Sequence, residues 1–143
     1  MKLSKSTELA IHGLYQLAAT NSRQLLVSEM ASSQKVSISY LAKVFQKLAR
    51  RGLVRSTRGK RGGFALARQP GEINIAEVVR AVETEEPLYE CLGKTRGCKA
   101  NGTCLMRKRF AEAEQGMFAI LEKTTLGDIL QSSNGERNSW LVA

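Results

Sequence analysis

Between Ser37 and Arg68 the chain reads SISYLAKVFQKLARRGLVRSTRGKRGGFALAR: a helical period, a glycine stop and a hairpin in immediate succession. Ile38, Leu41, Val44, Phe45 and Leu48 recur at three- and four-residue steps, which predicts one apolar stripe of an inward-packing helix. Tyr40, Lys43 and Lys47 then face water. Ser37 is placed to cap the helix, and Arg50-Arg51-Gly52 supplies a cationic last turn followed by a glycine stop. The runs LVRST and FALAR flank RGKRGG, so two short strands around a Gly-rich turn are expected. A helix running directly into a hairpin with a basic tip is the helix-plus-wing half of a winged helix-turn-helix.

Charge follows the same boundaries. Residues 30–71 contain ten Lys or Arg and no Asp or Glu, whereas the other 101 residues carry 12 basic and 13 acidic side chains. The basicity is local, and a one-signed surface on a helix and a wing is the footprint of a polyanion site. An ordinary solvated cationic face is the competing reading. The coincidence of the charge with a groove-sized helix favours double-stranded DNA. In such folds the first residues of the recognition helix approach base edges, which nominates Ser37, Ser39, Tyr40 and Lys43. Arg58, Lys60 and Arg61 sit at the wing tip, suited either to phosphates or to a minor groove.

At 143 residues, 43% apolar and 24% charged, the chain suits one domain with an appended oligomerisation element. No apolar run approaches a membrane span, and MKLSKSTELAIH meets charge too early for a signal peptide, so a cytoplasmic location is expected. There is no nucleotide loop, no paired catalytic carboxylates and no nucleophile-and-base constellation, which argues against an enzyme.

Before the recognition helix, residues 4–20 predict a helix with Leu9, Ile11, Leu14, Leu17 and Ala18 largely apolar. Residues 21–24 form a polar turn, and 27–33 a short helix that Ser28 is placed to cap. After the wing, residues 73–83 predict a helix capped by Asn74 and burying Ile75, Val78, Val79 and Val82. Residues 84–103 show no regular period. From Cys104 a long helix runs to about Lys123, followed by a short one capped by Thr125. Phe110, Ala113, Met117 and Leu121 give the long helix an apolar stripe, which either folds back on the core or forms the interface of a homodimer. Residues 132–143 read as a tail, and Trp140 is assigned no role.

Three cysteines, an odd number in a reducing compartment, point to metal ligation rather than disulfides. Cys91, Cys98 and Cys104 share one short, glycine-punctuated loop, with Lys94, Arg96 and Lys99 between them to stabilise thiolates. Three thiols complete neither a tetrahedral zinc site nor the ligand set of a 2Fe-2S cluster, so a further ligand is required. Glu8 and His12, one helical turn apart, are the candidates, and in a dimer they are able to come from the other subunit. Taken alone, Glu8 reads as a helix-dipole partner and His12 as a half-buried hydrogen-bonded side chain. On spacing alone, iron-sulfur and zinc stand nearly level, with a thiol redox switch behind them.

The chain resembles the Rrf-type family of iron-sulfur winged-helix transcription regulators. The resemblance is carried by SYLAK at 39–43, GLVRSTRGKRGGFALA at 52–67 with its G-x5-RG-x2-GG-[FY]-x-L wing, INIAEVVRAVE at 73–83 and the cysteine triplet. It implies a homodimeric DNA-binding regulator whose affinity depends on a 2Fe-2S or 4Fe-4S cluster held by Cys91, Cys98 and Cys104. It also implies DNA contacts from Ser37, Ser39, Tyr40 and Arg58. Where some members place a histidine ligand three residues after the last cysteine, this chain has Arg107, while Glu8 stands where other members use a carboxylate. The ligand order expected is therefore Glu8 first and His12 second.

The sequence thus predicts a mainly α protein with a small β-hairpin wing. Residues 1–83 form a winged helix-turn-helix, 84–104 a cluster-binding loop, and 105–131 a dimerisation helix with a short helix after it. The expected function is iron-sulfur-dependent, sequence-specific transcription regulation responding to redox, nitric oxide or iron status. A zinc- or thiol-switch regulator without a cluster is the alternative, and an electron-transfer protein using the same cysteines is the reading from another class.

Overall fold

The structure, a computed structural model, describes residues 3–20, 24–59, 62–83, 87, 89–92, 100 and 103–133. In chain order these form α1 (Lys5–Ala19), β1 (Leu25–Leu26), α2 (Val27–Ser33), α3 (Ile38–Arg50), β2 (Val54–Ser56), β3 (Gly63–Leu66), α4 (Ile75–Val82), α5 (Leu105–Lys123) and α6 (Leu126–Ser132). Single 3-10 turns occupy Pro70–Glu72 and Glu90–Leu92. The architecture is mainly α with a small antiparallel sheet, as the sequence predicts. The sheet has three strands in the order β1-β3-β2.

Local chemistry fixes the recognition helix at both ends. The Ser37 hydroxyl accepts the Tyr40 N–H at 3.3 Å, closing the N-terminus. At the other end the Leu53 N–H reaches the Leu48 carbonyl at 3.1 Å and the Gly52 N–H reaches Ala49 at 3.0 Å. That paired return needs a left-handed residue, and Gly52 supplies it at φ +71°. The chain then enters β2, whose Val54 pairs with Leu66 and Ser56 with Phe64 on β3.

Leu41, Val44, Phe45 and Leu48 of α3 are almost wholly buried, joined by Leu9, Leu14 and Leu17 of α1 and Ile73 and Val78 beside and within α4. The Phe45 and Phe64 rings meet at 5.0 Å, which anchors the wing to the recognition helix. Truncating one of these side chains to alanine costs about 3 to 5 kcal/mol. Leu126 of α6 is 1% exposed and belongs to this same core. The chain beyond α5 is therefore part of the domain's own packing. The Leu126 N–H donates to Ile73 O at 2.8 Å and the Ile75 N–H to Thr124 O at 2.9 Å, stitching the start of α6 to the start of α4.

Two expectations are corrected and one element is added. Ile38 is 55% exposed rather than inward-facing. As the first helical residue its side chain leans toward the N-terminus, beyond the layer that the rest of the stripe buries. Ser28 is not a cap: α2 begins one residue earlier, and the Glu29 carboxylate accepts the Leu26 N–H at 3.1 Å. Leu25 and Leu26, which precede that helix, form a strand against Phe64 and Gly63. The pairing escapes a local reading because its partner lies almost forty residues on.

Candidate functional site

The first turn of α3 stands clear of the core. Ser37, Ile38, Ser39, Tyr40 and Lys43 are all exposed. Ser37 Oγ holds the helix cap and lies 3.4 Å from Ser39 Oγ, while the Tyr40 hydroxyl shares a hydrogen bond of 3.1 Å with Ser6 of α1. All three hydroxyls proposed for DNA thus also have intramolecular partners. Ile38 is the residue the sequence reading misses. An exposed aliphatic side chain at the tip of such a helix suits a thymine methyl.

On the wing, Arg58 is exposed, and the turn behind it is closed by the Gly62 N–H on Gly59 O at 2.9 Å. Lys60 and Arg61 lie outside the described residues. Arg55 on β2 is exposed as well and extends the cationic surface down the strand. The ten-cation run is not uniform, however. Arg68 donates to Glu77 Oε1 at 2.9 Å and to Glu72 O at 3.2 Å, and Lys47 Nζ donates to Val82 O at 3.0 Å. Both hold the domain together, which distance along the sequence does not reveal.

Cys91 lies in the Glu90–Leu92 turn and Cys104 immediately before α5; both are half-buried free thiols. Cys98 and most of residues 84–102 lie outside the described residues. Tyr89, two residues before Cys91, stacks on Phe110 of α5 with ring centroids 4.2 Å apart and planes at 18°, fixing the start of the loop against that helix. Glu8 is exposed and pairs with Lys5 at 2.8 Å. His12, one turn on, is half-buried, and burial lowers its pKa against the opposing effect of Glu8, with Lys5 lowering it further. A neutral imidazole is the form a metal requires. Among the described residues no three His, Cys, Asp or Glu side chains come together as a metal site. Glu8 and His12, one helical turn apart, are brought to one face of α1.

α5 buries none of its residues. Its inner side, with Ala111, Phe118 and Leu121, is half-buried, and Arg80 of α4 braces it by lying 4.6 Å over the Phe118 ring and 2.7 Å from Glu122. Met106, Phe110 and Ile120 are 57%, 39% and 68% exposed. With exposed Ala113 and half-buried Met117 they form a 4-3-4-3 apolar stripe on the outer side. The predicted stripe is therefore corrected at its end, where Ile120 replaces Leu121.

No helix of the described residues is long and apolar enough to cross a membrane. Residues 3–132 match the Rrf2 family, whose description is iron-dependent transcriptional regulator. The HTH-type transcriptional regulator NsrR of Shouchella clausii is 32% identical over 139 residues, covering 96% of this chain and 93% of its own. Among solved structures, T. potens IscR superposes with a TM-score of 0.76 at 22% identity, covering 97% of this chain and 93% of its own. CymR, the global cysteine regulator of B. subtilis, superposes at 0.74 and 21% identity, covering 94% and 99%. These relatives are regulators rather than enzymes, and the match spans the recognition helix, the wing, the cysteine loop and α5 alike: the chain belongs to the Rrf2 family of transcriptional regulators.

Proposed function

We infer that this chain is a cytoplasmic, homodimeric regulator whose affinity for a specific duplex site depends on an iron-sulfur cluster, 2Fe-2S or 4Fe-4S, at its cysteine loop. The observation that carries the reading is the arrangement around α5. Half-buried thiols at Cys91 and Cys104 frame the loop, and the helix that follows presents an apolar stripe whose Met106 and Ile120 are more than half exposed. A second copy of the chain is the occupant that suits a 4-3-4-3 stripe on a 19-residue helix.

The donor set fits such a group. Thiolates are soft ligands suited to iron and zinc. Cys91, Cys98 and Cys104 would hold the cluster, with Glu8 or His12 of the partner subunit completing the set. Arg107 and Lys108 place positive charge in the first turn of α5, against the preference of the helix dipole, while Arg109 just beyond it pairs with Glu112 at 2.7 Å. Beside thiolates or an anionic cluster the same charges are favourable. A bound cluster supplies sensitivity to oxidation, nitric oxide or loss of iron. The chain's own residues read DNA: Ser37, Ser39, Tyr40 and Lys43 toward the major groove, with Arg58, Lys60 and Arg61 on the wing.

The alternative, a zinc- or thiol-switch regulator, uses the same cysteines, since thiolates suit zinc as well as iron. Anaerobic purification separates the two. A brown protein with visible absorbance, iron and acid-labile sulfide supports the cluster; a colourless protein that binds the same duplex, with zinc or with bare thiols, supports the alternative.

A further inference from the structure

Ser4 stands at the N-cap position of α1, yet its hydroxyl caps nothing within that helix. Its N–H and Oγ instead donate to Glu83 Oε1 at 2.8 and 2.7 Å, and the Thr7 hydroxyl donates to the same oxygen. Glu83 is therefore a tertiary N-cap, set 79 residues from the helix it closes, with its negative charge at the positive end of the helix dipole. Thr7 is only 2% exposed, and Glu83 is the acceptor for its hydroxyl. Burial raises the pKa of this carboxyl, but the bonds from Thr7 and Ser4 and the charge of Lys47 outweigh it and hold the group ionised.

Glu83 is also the residue that ends α4 and begins the segment carrying the cysteines. One residue earlier, Lys47 of the recognition helix caps α4 through Val82 O at 3.0 Å. On the far side of the same α1 turn, Ser6 holds the Tyr40 hydroxyl at 3.1 Å. The root of the cysteine loop is thus tied to α3 by two routes: directly through Lys47, and through Glu83, the first turn of α1 and Tyr40.

We propose that Glu83 is the positioning residue that transmits the state of the cysteine loop to the recognition helix, by clamping the first turn of α1 onto the loop's root. The inference rests on the reading of the loop as a sensor and adds the route by which it acts. Displacement of the loop root draws Glu83 away from Ser4 and Thr7 and leaves the buried Thr7 hydroxyl without its acceptor. The α1 turn then loosens together with Tyr40 and Glu8. Such a clamp is bistable because a half-made set of bonds around a desolvated hydroxyl is worse than either extreme.

The test uses the full chain prepared anaerobically, with thiols free or alkylated by iodoacetamide. Hydrogen exchange is followed across residues 4–12 and 38–48, and affinity is measured for a duplex that the wild type enriches from a random-sequence pool. Glu83→Ala is compared with Thr7→Val, which keeps the buried shape, and with Glu83→Gln, which keeps an acceptor. In the wild type, alkylation raises exchange in both segments and shifts affinity at least about fivefold. In Glu83→Ala and Thr7→Val the ratio between loop states falls below about twofold, and Glu83→Gln recovers part of it. Variants that keep the wild-type ratio, or a wild type in which exchange never changes in residues 38–48, overturn the clamp. If exchange reaches α3 but wild-type affinity is indifferent to the loop, the clamp stands and the sensor reading fails.

Discussion

The hydroxyl of Tyr40, on the free first turn of the recognition helix, lies 3.1 Å from that of Ser6 on α1. Both side chains are at the surface, so the bond contributes well under about 1 kcal/mol to folding. Tyr40→Phe should leave the melting temperature nearly unchanged and weaken operator binding severalfold. Ser6→Ala breaks the same bond from the other side. Equal affinities for the two variants would mean that the Tyr40 hydroxyl acts through Ser6 and not on DNA.

The cationic run divides into two groups that salt titration distinguishes. Arg58→Ala and Arg55→Ala should each reduce the slope of log K against log salt by about 0.9 for every phosphate left without its cation. Arg68, engaged by Glu77 and Glu72, should behave otherwise. Arg68→Ala leaves the slope unchanged and lowers stability by up to about 1 kcal/mol. A flattened slope for Arg68→Ala would place that side chain on the nucleic acid.

The outer stripe of α5 predicts a clean separation of assembly from folding. Ile120→Glu introduces charge at a position 68% exposed in the single chain, so the helical circular dichroism of the protomer persists. Sedimentation should show monomers where the wild type sediments as a dimer. A dimer of undiminished strength would remove this face from the interface.

Gly63 on β3 faces Leu25 so closely that a Cβ would stand 2.0 Å from its carbonyl oxygen. Gly63→Ala should therefore part β1 from β3 and cost about 1 to 3 kcal/mol, read by denaturant unfolding. An unchanged midpoint would mean that β1 contributes nothing to the wing.

The depressed pKa of Glu83 fixes the direction of a pH effect. A carboxyl held lower in the folded than in the unfolded chain stabilises the fold at neutral pH, and that stabilisation disappears as pH falls through its folded value. The stability gap between wild type and Glu83→Gln should be full near neutrality and close below the ordinary carboxylate range. A gap constant down to the most acid conditions would remove the ionised clamp.

What the sequence makes legible is what local chemistry decides. Ser37, Asn74 and Thr125 cap their helices as read, accepting N–H groups at 3.3, 3.0 and 3.0 Å, because a cap needs only its own first turn. Gly52 ends α3 for the same reason. Tertiary bonds are not legible in this way. The strand at Leu25–Leu26, the return of Leu126 to the core and the capping of α1 by Glu83 each join residues far apart in the chain. Ile38 fits the period of its helix and still points outward, since periodicity says nothing about where the domain's edge falls. Of the nominated site residues, Lys60, Arg61 and Cys98 lie outside the described residues. The cysteine spacing points to ligation, but which residue completes the set is a tertiary question that spacing along the chain does not answer.

One measurement tests the central claim most directly: the affinity of anaerobically prepared protein for its selected duplex, with the loop loaded with iron and sulfide and again after chelation. The account predicts at least a tenfold difference, about 1.4 kcal/mol, between the two preparations. Equal affinities across a range of salt would contradict it, leaving a DNA-binding protein whose cysteines report nothing to its recognition helix.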